Sequence, residues 1–152
     1  MSSDLKELLV CLNQHRVKYV VVGGYAVMKY TEPRFTKDVD LLIEASVSNS
    51  KKVVAALTAF GAPVSNLSPT EFSQEGTMYF MGIAPARVDI LTRVKGAKFV
   101  NIYKTSQEGT LFGAKVRFIS KANLIRTKKA AGRPQDLLDL EKLTASTADR
   151  KR

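Results

Sequence analysis

Two aspartates, Asp38 and Asp40, sit at the head of an otherwise apolar run, "DVDLLIE" at 38–44. In a strand, side chains alternate, so Asp38, Asp40 and Leu42 share one face while Val39, Leu41 and Ile43 share the other. The two carboxylates then stand about 7 Å apart at the backbone, close enough to converge on one ion. Two like charges ~5 Å apart at an effective dielectric of about 20 repel by about 3 kcal/mol. A divalent cation removes that penalty, and Mg²⁺ prefers a pair of carboxylates plus substrate phosphates. Just upstream, "YVVVGGYAV" runs a β-branched segment into Gly23 and Gly24. A Gly-Gly turn opening a helix aims backbone N–H groups at an anion with no Cβ in the way. If Gly24 and Asp38 face one site, the two strands run antiparallel, joined by residues 25–37. That connection carries Arg34, Thr36 and Lys37, two of them cations that suit a triphosphate.

The elements needed to hold these groups can be read along the chain. Residues 3–15 place Leu5, Leu8, Leu9 and Leu12 at helical spacing behind a capping Ser3. Val17–Val22 reads as a buried strand, Tyr25–Tyr30 as a short helix, and Pro33 as a loop. Val39–Glu44 forms the second strand. A helix capped at Ser50 or nearby runs through Phe60 to a stop at Gly61. Thr77–Ile83 and Ala86–Leu91 form a strand pair around "GIAP". Residues 95–113 carry little signal. Ala114–Ile119 alternates as a strand, Ser120 caps a helix through Ala131, and a last helix covers about Gln135 to Leu143, with Leu137, Leu138, Leu140 and Leu143 as its packing residues. The expected class is α/β (α+β): a mixed β-sheet with helices packed on it and a C-terminal helical tail. Residues 1–145 make one domain, and 146–152 a basic, disordered tail.

Composition narrows the partners. The 152 residues are 45% hydrophobic and 25% charged, ordinary for a soluble globular protein. No apolar run reaches the ~20 residues needed to span a bilayer, so no membrane role is expected. The N-terminus carries acids early and lacks the basic region of a secretory signal. Cys11 is the single cysteine, which fits a core thiol in a reducing cytoplasm. His15 has no second histidine to make a transition-metal site. The net charge of +10, much of it late in Lys121, Arg126, Lys128, Lys129, Arg133 and "DRKR", points to an anionic partner. Tyr25 is placed either to stack on a base or to fill a core or an interface.

The ordered set "VVGGYAV…RFTKDVDLLI" resembles the nucleotidyltransferase signature of the DNA polymerase β superfamily: a G-[GS] pair, a spacer of about a dozen residues, then D-h-[DE]-h, where h is hydrophobic. It is most similar to small bacterial and archaeal proteins related to AbiEii-type toxins and to aminoglycoside nucleotidyltransferases. That family requires a third acid on a later strand, which Asp89 in "ARVDILT" matches. The segment "KKAAGRPQDLLDLEKL" resembles the subgroup's K-x-A-A-G-R-P-K-D-L-x-D-L tail, departing from it at Gln135. The resemblance implies that Asp38, Asp40 and Asp89 bind metal, two Mg²⁺ ions with Mn²⁺ as a substitute. It also implies that Gly23 and Gly24 hold the phosphates of an NTP, that Lys128 steadies them, and that Asp89 serves the acceptor hydroxyl as base. Arg133, Asp136 and Asp139 match later tail positions, with a structural Arg133–Asp136 ion pair as the alternative. The implied activity is transfer of an NMP to a hydroxyl on a tRNA end, a protein or a small molecule; the basic surface favours nucleic acid. Two alternatives are a non-catalytic module of a toxin–antitoxin pair and a basic nucleic-acid-binding domain.

Overall fold

Four consecutive buried residues make β1, Tyr19–Val22. Such a strand has neighbours on both edges and cover on both faces. The computed structural model describes residues 2–82 and 87–150, the side chains of 2, 3 and 146–150 excepted. Among the described residues the order is α1 Ser2–Gln14, β1, α2 Gly23–Tyr30, β2 Asp38–Ile43, α3 Val47–Phe60, β3 Met78–Met81, β4 Arg87–Leu91, α4 Phe99–Lys104, β5 Gln107–Leu111, β6 Ala114–Phe118, α5 Lys121–Ala131 and α6 Pro134–Arg150. The strands form one mixed sheet in the order β3-β4-β2-β1-β6-β5. β1 pairs antiparallel with β2 and parallel with β6, and β2 pairs parallel with β4. Edge strands β3 and β5 close antiparallel on β4 and β6. Helix α1 packs against α3 and β6, whereas α2 lies on β1 and β2 and meets α5 and α6.

Several boundaries move for local reasons. Arg16 takes a left-handed conformation (φ 58°) and Val17 N–H returns to Leu12 carbonyl, so the strand starts at Tyr19 and not at Val17. Ser46, not Ser50, caps α3 by accepting from Asn49 N–H. Ser50 is buried within the helix, where its hydroxyl donates to Pro69 carbonyl and accepts from Phe72 N–H, both at 2.9 Å. It thereby anchors the irregular stretch after Gly61, whose φ of 94° ends α3 as expected. The β3–β4 pairing is present, with 83–86 outside the described residues. The weakly signalled 95–113 contains α4 and β5; β5 is largely exposed, so no apolar alternation marked it.

The last helix differs most. It begins at Pro134, suited to a first helical turn, and runs to Arg150 rather than to Leu143. Helical backbone therefore occupies part of the segment expected to be a tail from 146. Its inward positions are Asp136 and Asp139, with Leu143, while Leu137 and Leu138 are more than half exposed. The expectation that all four leucines pack inward is corrected: two face solvent because buried cations claim the acids on the inner face.

Candidate metal and nucleotide site

The antiparallel β1–β2 register sets Val22 opposite Asp40, so the next residue, Gly23, arrives beside that carboxylate. Gly23 has φ 71°, and a Cβ there would fall on Asp40 Oδ2. A Cβ on Gly24 would lie 2.6 Å from Thr36 Oγ1 and 3.1 Å from Arg34 Nη2. Both glycines are thus required by close approach, and Thr36 and Arg34 are brought to the same turn. The parallel β2–β4 register aligns Asp40 with Asp89 and Asp38 with Arg87. One carboxylate oxygen from each of Asp38, Asp40 and Asp89 lies within 4.8 Å of the others, a spacing that one or two cations would fit.

The electrostatics of the three acids are strained. Burial, then the neighbouring Asp89 and Asp38 charges, push the Asp40 carboxyl up to about 7, against a smaller opposing effect of Lys128. Asp38 is raised too, by desolvation and then by Asp89. Its Oδ1 is buried with no hydrogen-bond partner among the described residues. An orphaned acceptor among three repelling carboxylates fits a hard divalent cation. The nearest positive charge is Arg87, whose Nε lies 2.8 Å from Asp89 Oδ1 and 3.6 Å from Asp38 Oδ1. Its guanidinium also covers the Phe80 ring, 4.3 Å from the centroid. Sequence reasoning missed Arg87, although its place two residues before Asp89 on one strand put it on the same face.

The remaining expected residues sit beside a second acid cluster. Lys128 is buried, its Nζ 3.0 Å from both Asp136 Oδ1 and Asp139 Oδ2. Arg34 Nη2 lies 3.1 Å from Asp139 Oδ2, and Nη1 donates to Phe35 carbonyl. Arg34 Nε is buried with no acceptor among the described residues. Arg133 forms the ion pair with Asp136, at 2.7 Å from Nε. Gln135, the departure from the tail pattern, donates to Asp139 Oδ1. Despite burial, which opposes it, hydrogen bonds from Arg133 and Lys128 hold the Asp136 carboxyl down to about 2. Lys37 is exposed, and its charge opposes, as the smallest of the causes, the upward shift of the Asp38 carboxyl. Tyr25 meets Phe112 edge-on at 5.5 Å, and His15 Nδ1–H donates to Cys11 carbonyl.

No family model matches the chain, and no curated protein matches it. Among solved structures, the chain is similar to ANT(2″)-Ia in complex with adenylyl-2″-tobramycin, with a TM-score of 0.63 and 15% identity over 99% of this chain and 91% of that one. The fold is therefore that of a nucleotidyltransferase: a mixed six-stranded sheet flanked by helices. No helix among the described residues is long and apolar enough to cross a membrane.

Proposed function

We propose that this protein is a Mg²⁺-dependent nucleotidyltransferase that moves an NMP from an NTP to a hydroxyl acceptor. The carrying observation is a pair of buried polar atoms that lack a hydrogen bond among the described residues, the acceptor Asp38 Oδ1 and the donor Arg34 Nε, with only the longer 3.6 Å contact of Arg87 Nε to Asp38 Oδ1. A metal–triphosphate supplies the missing partner to each. Asp38, Asp40 and Asp89 would hold divalent metal, which when bound offsets the charge of the triphosphate and of the departing pyrophosphate. Gly23 and Gly24 admit the phosphates close to the backbone, and Arg34 and Thr36 flank them. Asp89 takes the proton of the acceptor hydroxyl; that oxygen bonds to the α-phosphorus, the α–β bridging bond breaks, and pyrophosphate leaves. Lys128 acts through Asp139, fixing the carboxylate that holds Arg34. The fold's likeness to ANT(2″)-Ia supports the reaction type. The lone cysteine favours a reducing cytoplasm as its setting.

Asp89 separates an enzyme from a module that merely holds nucleotide. Asp38 and Asp40 can keep a metal–triphosphate by themselves, whereas Asp89 serves the attacking oxygen, so its effect belongs to the transition state. Calorimetry of each NTP with Mg²⁺, beside single-turnover transfer of labelled NMP, tests this. The expectation is that Asp89→Asn keeps most of the affinity and loses transfer by roughly 10²-fold or more. A wild-type protein with no metal-dependent NTP binding sinks the whole reading; an unimpaired Asp89→Asn sinks the catalytic assignment.

A further inference from the structure

The sheet face that carries the three acids does not end at Asp89. In the β3–β4 register Phe80 lies opposite Asp89 and Met78 opposite Leu91, so both side chains continue that face toward the sheet edge. Both are about half exposed: Phe80 is 51% and Met78 55% exposed. Arg87 lies over one side of the Phe80 ring while its Nε reaches Asp89. Met78 also lines a cavity of about 290 Å³, together with Gly76, Thr77, Leu91, Val94 and the cations Arg93 and Lys95. No carboxylate lines it, and neither cation has an ion-pair partner among the described residues. The strip thus runs from Asp89 through an aromatic ring and a thioether to two unpaired positive charges, on the flank away from Gly23 and Gly24.

We infer that this strip docks the acceptor and that the acceptor is single-stranded nucleic acid. This rests on the proposed reaction for the hydroxyl that is presented, though not for the binding itself. A flat ring beside a cationic track is what a single strand needs: bases stack on aromatic faces whatever their identity, while the backbone follows positive charge. Phe80 takes a base next to the reacting centre, Met78 supports its neighbour, and Arg93 and Lys95 meet the phosphates. A duplex keeps its bases stacked on one another and cannot offer them to Phe80. A polycationic acceptor finds no carboxylate in the lining of the cavity beside Met78 and meets repulsion from Arg87, Arg93 and Lys95.

Fluorescence anisotropy with labelled single-stranded RNA and DNA dodecamers, across a salt series, tests the inference. Phe80 is exposed, so Phe80→Ala should fold; it should bind either strand roughly ten- to a hundredfold more weakly, the range of one lost stacking partner, while Phe80→Trp retains binding. Arg93→Glu with Lys95→Glu should flatten the salt dependence, because fewer counterions are released. The charge-matched pair Lys51→Glu with Lys52→Glu, on α3, should stay within about twofold of wild type. Binding to both sugars, or tighter binding to one, supports the strip and names the source. No binding by wild type, an unaffected Phe80→Ala, equal losses from the two charge pairs, or a duplex bound as tightly as a single strand would each overturn it. NTP calorimetry on the same proteins keeps the two readings apart. Wild type that binds NTP but no strand defeats this inference alone. Wild type that binds strands through Phe80 but no NTP defeats the proposed reaction and leaves the docking strip standing.

Discussion

Two groups of aspartates lie on the same side of the sheet and behave oppositely. Asp136 and Asp139 are buried between α5 and α6, and three cations, Lys128, Arg34 and Arg133, meet them at 2.7–3.1 Å. Asp38, Asp40 and Asp89 converge with Arg87 as their one close protein cation among the described residues. The first group is satisfied from within, and Asp136 is held at about 2. The second is left short of positive charge, and Asp40 stands at about 7. Residue type is therefore a poor guide to role; the balance of counter-charge inside the fold distinguishes a brace from a binding site. Lys128 belongs to the brace by contact, yet its field reaches Asp40, so the two groups are electrically joined.

The sharpest way to break this contrast is to remove one acid from each group. Asp139→Ala should cost about 3–5 kcal/mol, because it strips Lys128 and Arg34 of a buried partner and leaves charge uncompensated. Chemical denaturation measures this, and a loss under 1 kcal/mol would show that water, not the protein, balances the brace.

Asp40→Asn should do the reverse in metal-free protein, leaving stability unchanged or higher at neutral pH. The effect carries a pH signature. Because the folded carboxyl titrates near 7 and its ordinary value is 3.8, the native state binds the extra proton between them. The stability this group contributes is full below pH about 4 and is lost as pH rises through about 7. Melting with chelator present should show that decline in wild type and a flatter profile in Asp40→Asn. Metal should counter it, since the cation replaces the proton. A metal-free wild type whose stability rises from pH 5 to pH 8 would contradict the repulsion assigned to the three acids.

The smallest effect belongs to Lys129. It neighbours Lys128 in the chain and is exposed, so Lys129→Ala should shift stability by no more than about 0.5 kcal/mol. Thermal melts of Lys128→Ala and Lys129→Ala side by side would expose any failure of the contrast as equal losses.

What could be read in advance follows from the same physics. The run "YVVV" and the alternation of "DVDLLI" and "RVDIL" are legible because a central sheet demands apolar side chains on its covered face and tolerates acids only at its rim. The antiparallel run of the first two strands followed from asking Gly24 and Asp38 to serve one site; the register that sets Gly23 beside Asp40 came from the structure. Helix α6 was legible as a helix but its inner face was not, since the usual rule puts leucines inside and aspartates outside. Cations brought from elsewhere, Lys128 on α5 and Arg34 before β2, reverse it. Phe80 escaped notice because it matters through cross-strand register, which a linear reading of the β3–β4 pair does not supply, whereas Arg87 needed only its place two residues before Asp89. β5 and the stretch anchored by Ser50 lacked periodicity altogether.

The parallel pairing of β2 with β4 has one more effect, on time rather than on energy. It joins segments roughly fifty residues apart, and such distant pairings slow the conformational search, because chain closure comes before any reward. The three carboxylates therefore have no common location until that pairing exists. A cation seated among them could not hasten the search for the native state, but it would clasp two strands already docked and lengthen the native state's lifetime. Departure of the nucleotide and metal would then return the molecule to its faster rate of opening.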